Sequence, residues 1–169
     1  MRIPSVIAIS ALAGASLWAG GFGAGLQTSY PLNEDSVIVP RLDFLYSTDS
    51  SSSAGISLST KANIFSLGAD YDYFPGGKTW KGFYGLGGVG VAYAIIDVSG
   101  SISGFSASTT SNQTVFYPEI GAGYMFTENF GAEILYKYLD IKDVKLLVAG
   151  VPAGYSYSGG LQVSVVARF

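Results

Sequence analysis

Residue types able to do chemistry are scarce in this chain, and two are missing altogether. There is no histidine and no cysteine. That removes the usual general base at neutral pH, the commonest metal ligand, thiolate sites, disulfides and cysteine nucleophiles. A cysteine-free chain also suits an oxidising compartment, where a stray thiol is a hazard. Among the acids, Asp70 and Asp72 are two apart in an alternating segment and so share a face. Two carboxylates so placed could pass for a catalytic or metal pair. With no histidine and no further ligand cluster beside them, a hydrated ion-pair network is the favoured reading. No cofactor, no metal and no catalytic residue is expected.

Three other patterns carry familiar letters. Gly85-Leu86-Gly87-Gly88-Val89-Gly90 fits G-x-G-x-x-G. A dinucleotide site needs those glycines in a turn that opens a helix, with an acid about 20 positions on. Here β-type residues continue on both sides, so the glycines read as relief of crowding in a tightly curved strand. Asn112-Gln113-Thr114 is a sequon by letters alone. The run Ser50 to Ser53 reads as a solvated loop.

The elements that must position these residues are strands. With 169 residues the chain has room for one domain of about eight strands. Only 12% of residues are charged, roughly half the share usual in soluble domains. A soluble fold so poor in charge would cover its surface badly, which disfavours a soluble β-sandwich or lipocalin; a barrel in lipid needs an apolar outside. The net charge of −3 removes the electrostatic basis for binding nucleic acid. Residues 1–15 have the pattern of a secretory leader. Arg2 gives a basic start, an apolar run follows over 3–12, and Ala11, Ala13 and Ala15 offer A-x-A-like cleavage sites. The alternative is an uncleaved first strand over 3–17; the barrel domain is taken as 20–169.

Beyond the leader, period-two alternation recurs between turn signals. Strands are expected over 21–30, 37–46, a segment ending at Tyr73, 82–96, 113–126, 130–140 and 155–169. Pro40 is a local objection to the second of these. Ile56, Leu58, Ala62 and Ile64 are out of phase with Phe65, Leu67, Ala69, Tyr71 and Tyr73, so a bulge is expected near Ile64–Phe65. Short turns at 31–36, 75–81 and 127–129 alternate with long loops at 47–59, 97–112 and 141–154. That asymmetry belongs to outer-membrane barrels, whose short turns face the periplasm. Seven strands are read, whereas a single-chain bacterial barrel should have an even number.

Placing the apolar face against lipid leaves Arg41, Asp43, Asp70, Asp72, Glu119, Glu133, Lys137 and Arg168 inward, as a lumen charge network. Aromatics gather at both strand ends. Tyr30, Tyr71, Tyr73, Phe83, Phe126 and Phe130 lie by the short turns. Tyr46, Tyr93, Phe116, Tyr136, Tyr138, Tyr155 and Tyr157 lie toward the long loops. Bilayer interfaces select such belts. The turn at 127–129 sets Phe126 opposite Phe130, a register that places Glu119 opposite Lys137.

The hairpin from Ile120 to Tyr138, with Gly121, Gly123, Tyr124, Phe126, Thr127, Asn129, Gly131, Tyr136 and Tyr138, resembles the GxGYxFTxNxGxxxxYxY hairpin of small outer-membrane barrels. That family is typified by the OmpA membrane domain and includes OmpX-like proteins. The likeness covers 82–169 well and 21–75 loosely. The ending, Gln162 to Phe169, resembles the family's terminal strand and implies that Phe169 signals to the barrel-assembly machinery. The resemblance implies an all-β, transmembrane, antiparallel up-and-down barrel of eight strands in a bacterial outer membrane, monomeric, touching lipid and lipopolysaccharide. It does not fix a function. A structural or surface-interaction role through the loops is the first expectation, since an eight-stranded barrel is filled by its own side chains. A narrow channel for small solutes or ions is the alternative, with Gly88, Gly90, Ala92, Gly121 and Gly123 leaving space in the lumen. Small barrels that modify lipid A or cleave proteins rely on a histidine that this chain lacks.

Overall fold

The computed structural model describes residues 16–18, 21–53, 56–76, 80–102, 104–148 and 151–167. Its regular elements are all strands: β1 (Ser16–Trp18), β2 (Gly21–Gln27), β3 (Tyr30–Pro31), β4 (Ser36–Ser53), β5 (Ile56–Tyr73), β6 (Gly82–Ile102), β7 (Phe105–Met125), β8 (Phe130–Lys137), β9 (Ile141–Val148), β10 (Val151–Tyr157) and β11 (Gly160–Ala167).

These strands close into a ring. From β4 through β5, β6, β7 and β8 to β11 each pairs antiparallel with the next, and β1 joins β11 to β2, which returns to β4. β2 and β3 keep one register on β4 and act as one stave, so the ring has eight. The strand added to the seven expected is β1, which follows the segment read as a leader; residues 1–15 lie outside the described residues. Traced once round, the registers return displaced by about ten residues. For eight strands that stagger corresponds to a tilt of about 40°, with an interior that side chains can fill.

Pro40 lies inside β4 without ending it. Thr28 N–H donates to Pro40 O at 3.1 Å, but Pro40 has no N–H to return, and the ladder lapses there between β2 and β3. The expected bulge near Ile64–Phe65 does not form. β5 holds an unbroken register on β4 and on β6 along its full length. Ala62 and Ile64 are buried because the lumen itself is apolar at that height. The hydrophobicity changes face; the strand does not.

The long loops are largely β-structure as well. Residues 47–53 and 56–59 continue β4 and β5, and 97–102 and 105–112 continue β6 and β7, with Gly104 at φ 86 in the second hairpin's turn. The serine run is therefore strand, a correction to its reading as a loop. The third connection folds as the separate β9–β10 ribbon, and the final strand splits at Gly159 (φ 124).

Outside, Leu42, Leu67, Val89, Ile120, Ile134 and Val163 are exposed in an apolar band. Toward the short turns Phe83, Tyr124, Phe126 and Phe130 touch ring to ring at 5.4–6.3 Å between centroids, one girdle of the band. Tyr93, Phe116, Tyr136 and Tyr138 are exposed toward the other end; the side chains of Tyr155 and Tyr157 lie outside those described. Inside are three layers. Val37, Val39, Phe74, Tyr84, Leu86 and Met125 pack at the short-turn end. Charged residues fill the middle. Leu45, Ile64, Ile96, Val98, Leu139 and Ile141 pack beneath the long hairpins, where Val144 of β9 joins them. The Gln113 side chain pins that ribbon, accepting from Lys142 N–H at 3.0 Å and donating to Lys142 O at 2.9 Å.

Candidate functional site: the lumen charge network

Four strands deliver the charged layer. Arg41 and Asp43 come from β4, Asp70 from β5, Glu119 from β7, and Glu133 and Lys137 from β8. All six are buried. Their positions follow from parity alone, since each alternates with an exposed neighbour such as Leu42, Ile120 or Tyr136.

The Arg41 guanidinium reaches three carboxylates: Glu133 at 2.6 Å, Asp70 at 2.7 Å and Asp43 at 3.5 Å. Lys137 Nζ lies 2.9 Å from Asp43 and 3.4 Å from Glu119. Asp43 thus joins both cations, and the six side chains form one connected network. β4 and β8 stand opposite one another in the ring. The Arg41–Glu133 and Lys137–Asp43 pairs therefore bridge the lumen from wall to wall. In a sealed interior such pairs offset the desolvation of their ions only when geometry and hydrogen bonding are good, and removing one partner strands the other.

Other sequence-read members are placed differently. Asp72 is buried opposite Val37 and Leu86, nearer the short turns, and stands outside these five ion pairs. Arg168 and Phe169 lie outside the described residues. Glu119 does face Lys137 across the β7–β8 ladder, in the register set by the 127–129 turn. Lys137 nevertheless has its shorter contact with Asp43.

Sequence reasoning missed the neutral members. Tyr84 Oη donates to Glu133 Oε2 at 3.2 Å. Lys137 Nζ donates to Ser66 Oγ at 3.4 Å and sits 4.5 Å above the Tyr117 ring. The available signal was parity, because Tyr84 and Tyr117 fall on the inward phase while the belt tyrosines fall on the outward one. A second signal was glycine across the ladder. Tyr117 is paired with Gly90, and Tyr84 with Gly123. A side-chain carbon at either glycine would collide with the tyrosine ring, and one at Gly88 would collide with the Asp70 carboxylate. The inward glycines of the G-x-G-x-x-G segment, Gly88 and Gly90, are thus seats for lumen side chains. The expectation that they leave the lumen open is corrected accordingly.

Chemically the arrangement is a clamp. Its carboxylates are held by cations, and the described residues contain no group of three or more acids or other ligands placed to hold a metal. A cavity of about 20 Å³ beside Gln27, Arg41, Asp43, Glu133 and Gln162 is room for roughly one water molecule.

No curated protein matches the chain in sequence. Among solved structures, the crystal structure of the N-terminal β-barrel domain of OprF from Pseudomonas aeruginosa is similar, with a TM-score of 0.55 at 20% identity. The match covers 90% of this chain and 92% of that one. At that identity the likeness concerns the fold. The family model of the outer membrane protein β-barrel domain matches residues 6–169, nearly the whole chain, and this protein is a member of that family of bacterial outer-membrane barrels.

Proposed function

We propose that this barrel is a non-enzymatic scaffold that holds its long hairpins at the cell surface for interaction, with the short turns in the periplasm. The observation that carries this reading is the three-layered lumen. Apolar side chains close both ends, ion pairs cross the middle, and Ile141 and Val144 of β9 pack into the layer beneath the long hairpins. A channel would need a continuous wet path, and the space above the lumen glycines is occupied. A catalytic role lacks the usual histidine base, and the four carboxylates of the network are enclosed and each in contact with Arg41 or Lys137. Outer-membrane lipid, lipopolysaccharide and the barrel-assembly machinery are the expected partners, with the protein as a monomer.

Support for a surface role comes from the extended strands. Beyond the ring, β4 to β7 continue as a four-stranded sheet packed on its inner face by Val98, Ile102 and Ala107. This is a stiff platform rather than a set of flexible loops. The test is planar-bilayer conductance of the refolded chain. The scaffold reading expects a silent membrane; steady, ion-conducting steps from heat-modifiable protein would replace it with the channel.

A further inference from the structure

The outer face of that platform carries an ordered array of hydroxyls. The cross-strand registers align Ser50, Ser59, Ser99 and Ser108 in one row over four strands. Two positions nearer the tip, Ser52, Ser57, Ser101 and Ser106 form a second row. All eight alternate with inward residues such as Leu58, Val98, Gly100 and Ala107, and so point away from the barrel axis. Together with Leu58, Gly100 and Ala107 between them, they line an open concavity of about 570 Å³. Neighbouring strands are about 4.8 Å apart and same-face rows about 7 Å apart, a mesh about the width of one pyranose ring.

The row below sets the charge. Lys61 faces Asp97 across the ladder, flanked by Thr48 and Thr110, and Thr110 Oγ1 donates to Asp97 Oδ1 at 2.6 Å. One cation and one anion cancel, so the concavity has no surplus positive charge for a phosphate. Height gives a second constraint. The serine rows begin six residues beyond Phe44, whose ring packs on Phe65 at the edge of the apolar band. Along a strand tilted as in this ring, that is about 15–20 Å above the band. A headgroup layer is only about 5–8 Å deep, so the array stands above it. Serine is depleted at protein–protein interfaces, whereas hydroxyls that both donate and accept complement neutral sugars.

We infer that the serine-lined outer face of β4–β7 is a docking surface for the neutral saccharide chain of an outer-leaflet glycolipid. The lipid is embedded beside the barrel, and its sugars rise along the platform. Several exposed hydrogen bonds, each competing with water, imply weak binding, with a Kd of about 1 mM for a free oligosaccharide. Local concentration in the membrane makes that sufficient.

This inference rests on the surface-facing reading above, and the experiment separates the two. The full chain is placed in nanodiscs and titrated with a neutral oligosaccharide from the outer core of lipopolysaccharide, free of phosphate and of acidic sugars, while backbone amides are followed by NMR. Signals from 50–59 and 99–108 are expected to shift together. The fourfold variant Ser57→Ala, Ser59→Ala, Ser99→Ala, Ser101→Ala is expected to bind about tenfold more weakly, with its heat-dependent mobility unchanged. Nanodiscs containing complete lipopolysaccharide should slow amide exchange at these rows, and nanodiscs containing lipid A alone should not. No shift in the native chain, an undiminished response in a folded variant, or equal protection by lipid A alone would overturn the inference. An epitope inserted at Gly104 that antibody cannot reach on intact cells would bring down the surface-facing reading and this inference together. A reachable epitope without a saccharide response sinks only the inference.

Discussion

Arg41 and Glu133 meet at 2.6 Å in the barrel interior although their strands, β4 and β8, stand opposite one another in the ring. No ladder contact brings them together; only closure of the ring does. Replacing Arg41 by Met should leave Glu133 and Asp70 charged and enclosed, destabilising the barrel by about 3–5 kcal/mol. Chemical denaturation in detergent measures this. Adding Glu133→Gln should recover part of the loss, and strictly additive effects would show that the contact is not energetically coupled.

Lys137 offers a finer test, because two carboxylates compete for it. Asp43 is at 2.9 Å and Glu119 at 3.4 Å. Lys137→Met alone should destabilise. The second change Asp43→Asn should restore more than Glu119→Gln, although Glu119 is the ladder neighbour. Double-mutant cycles read the difference, and equal restoration would contradict the ranking by distance.

Inward and outward glycines should differ in their tolerance of a side chain. A side-chain carbon at Gly90 meets Tyr117, whereas one at Gly85 meets nothing within 4 Å. Gly90→Ala is expected to cost about 1–3 kcal/mol through overpacking. Gly85→Ala should be close to neutral in the same denaturation assay. A neutral Gly90→Ala would mean that both the Tyr117 ring and the Leu67 carbonyl, which the added carbon also meets, give way.

The closed ring predicts heat-modifiability. Every stave is paired on both sides, so the folded barrel should resist SDS until boiled and run at a different mobility before boiling. Co-migration of boiled and unboiled, correctly refolded protein would contradict closure by β1.

Deleting Phe169 should lower outer-membrane yield far more than it lowers stability of protein refolded in detergent. The motivation is the terminal alternation of Val163, Val165, Ala167 and Phe169 and its resemblance to assembly signals. Parallel losses in both assays would assign the residue a packing role instead.

Much of this barrel was legible residue by residue. Alternation assigned Arg41, Asp43, Asp70, Glu119, Glu133 and Lys137 to one face, and the short 127–129 turn set the β7–β8 register, because both are local properties of a chain with a side-chain period of two. The same logic misled where the surroundings of a face change along the strand. Ala62 and Ile64 looked out of phase only because an apolar inward face was not anticipated. The serine and threonine stretches looked like loops because their stabilisation comes from Val98, Ile102 and Ala107 packing beneath β9, a contact distant in sequence. Of the ion pairs, Glu119–Lys137 followed from the turn register, but those that cross the lumen, Arg41–Glu133 and Lys137–Asp43, were beyond the pattern. Period two tells a side chain which way to point, but the stagger with which eight strands close decides what it meets across the lumen. That stagger belongs to the ring, and no single segment contains it.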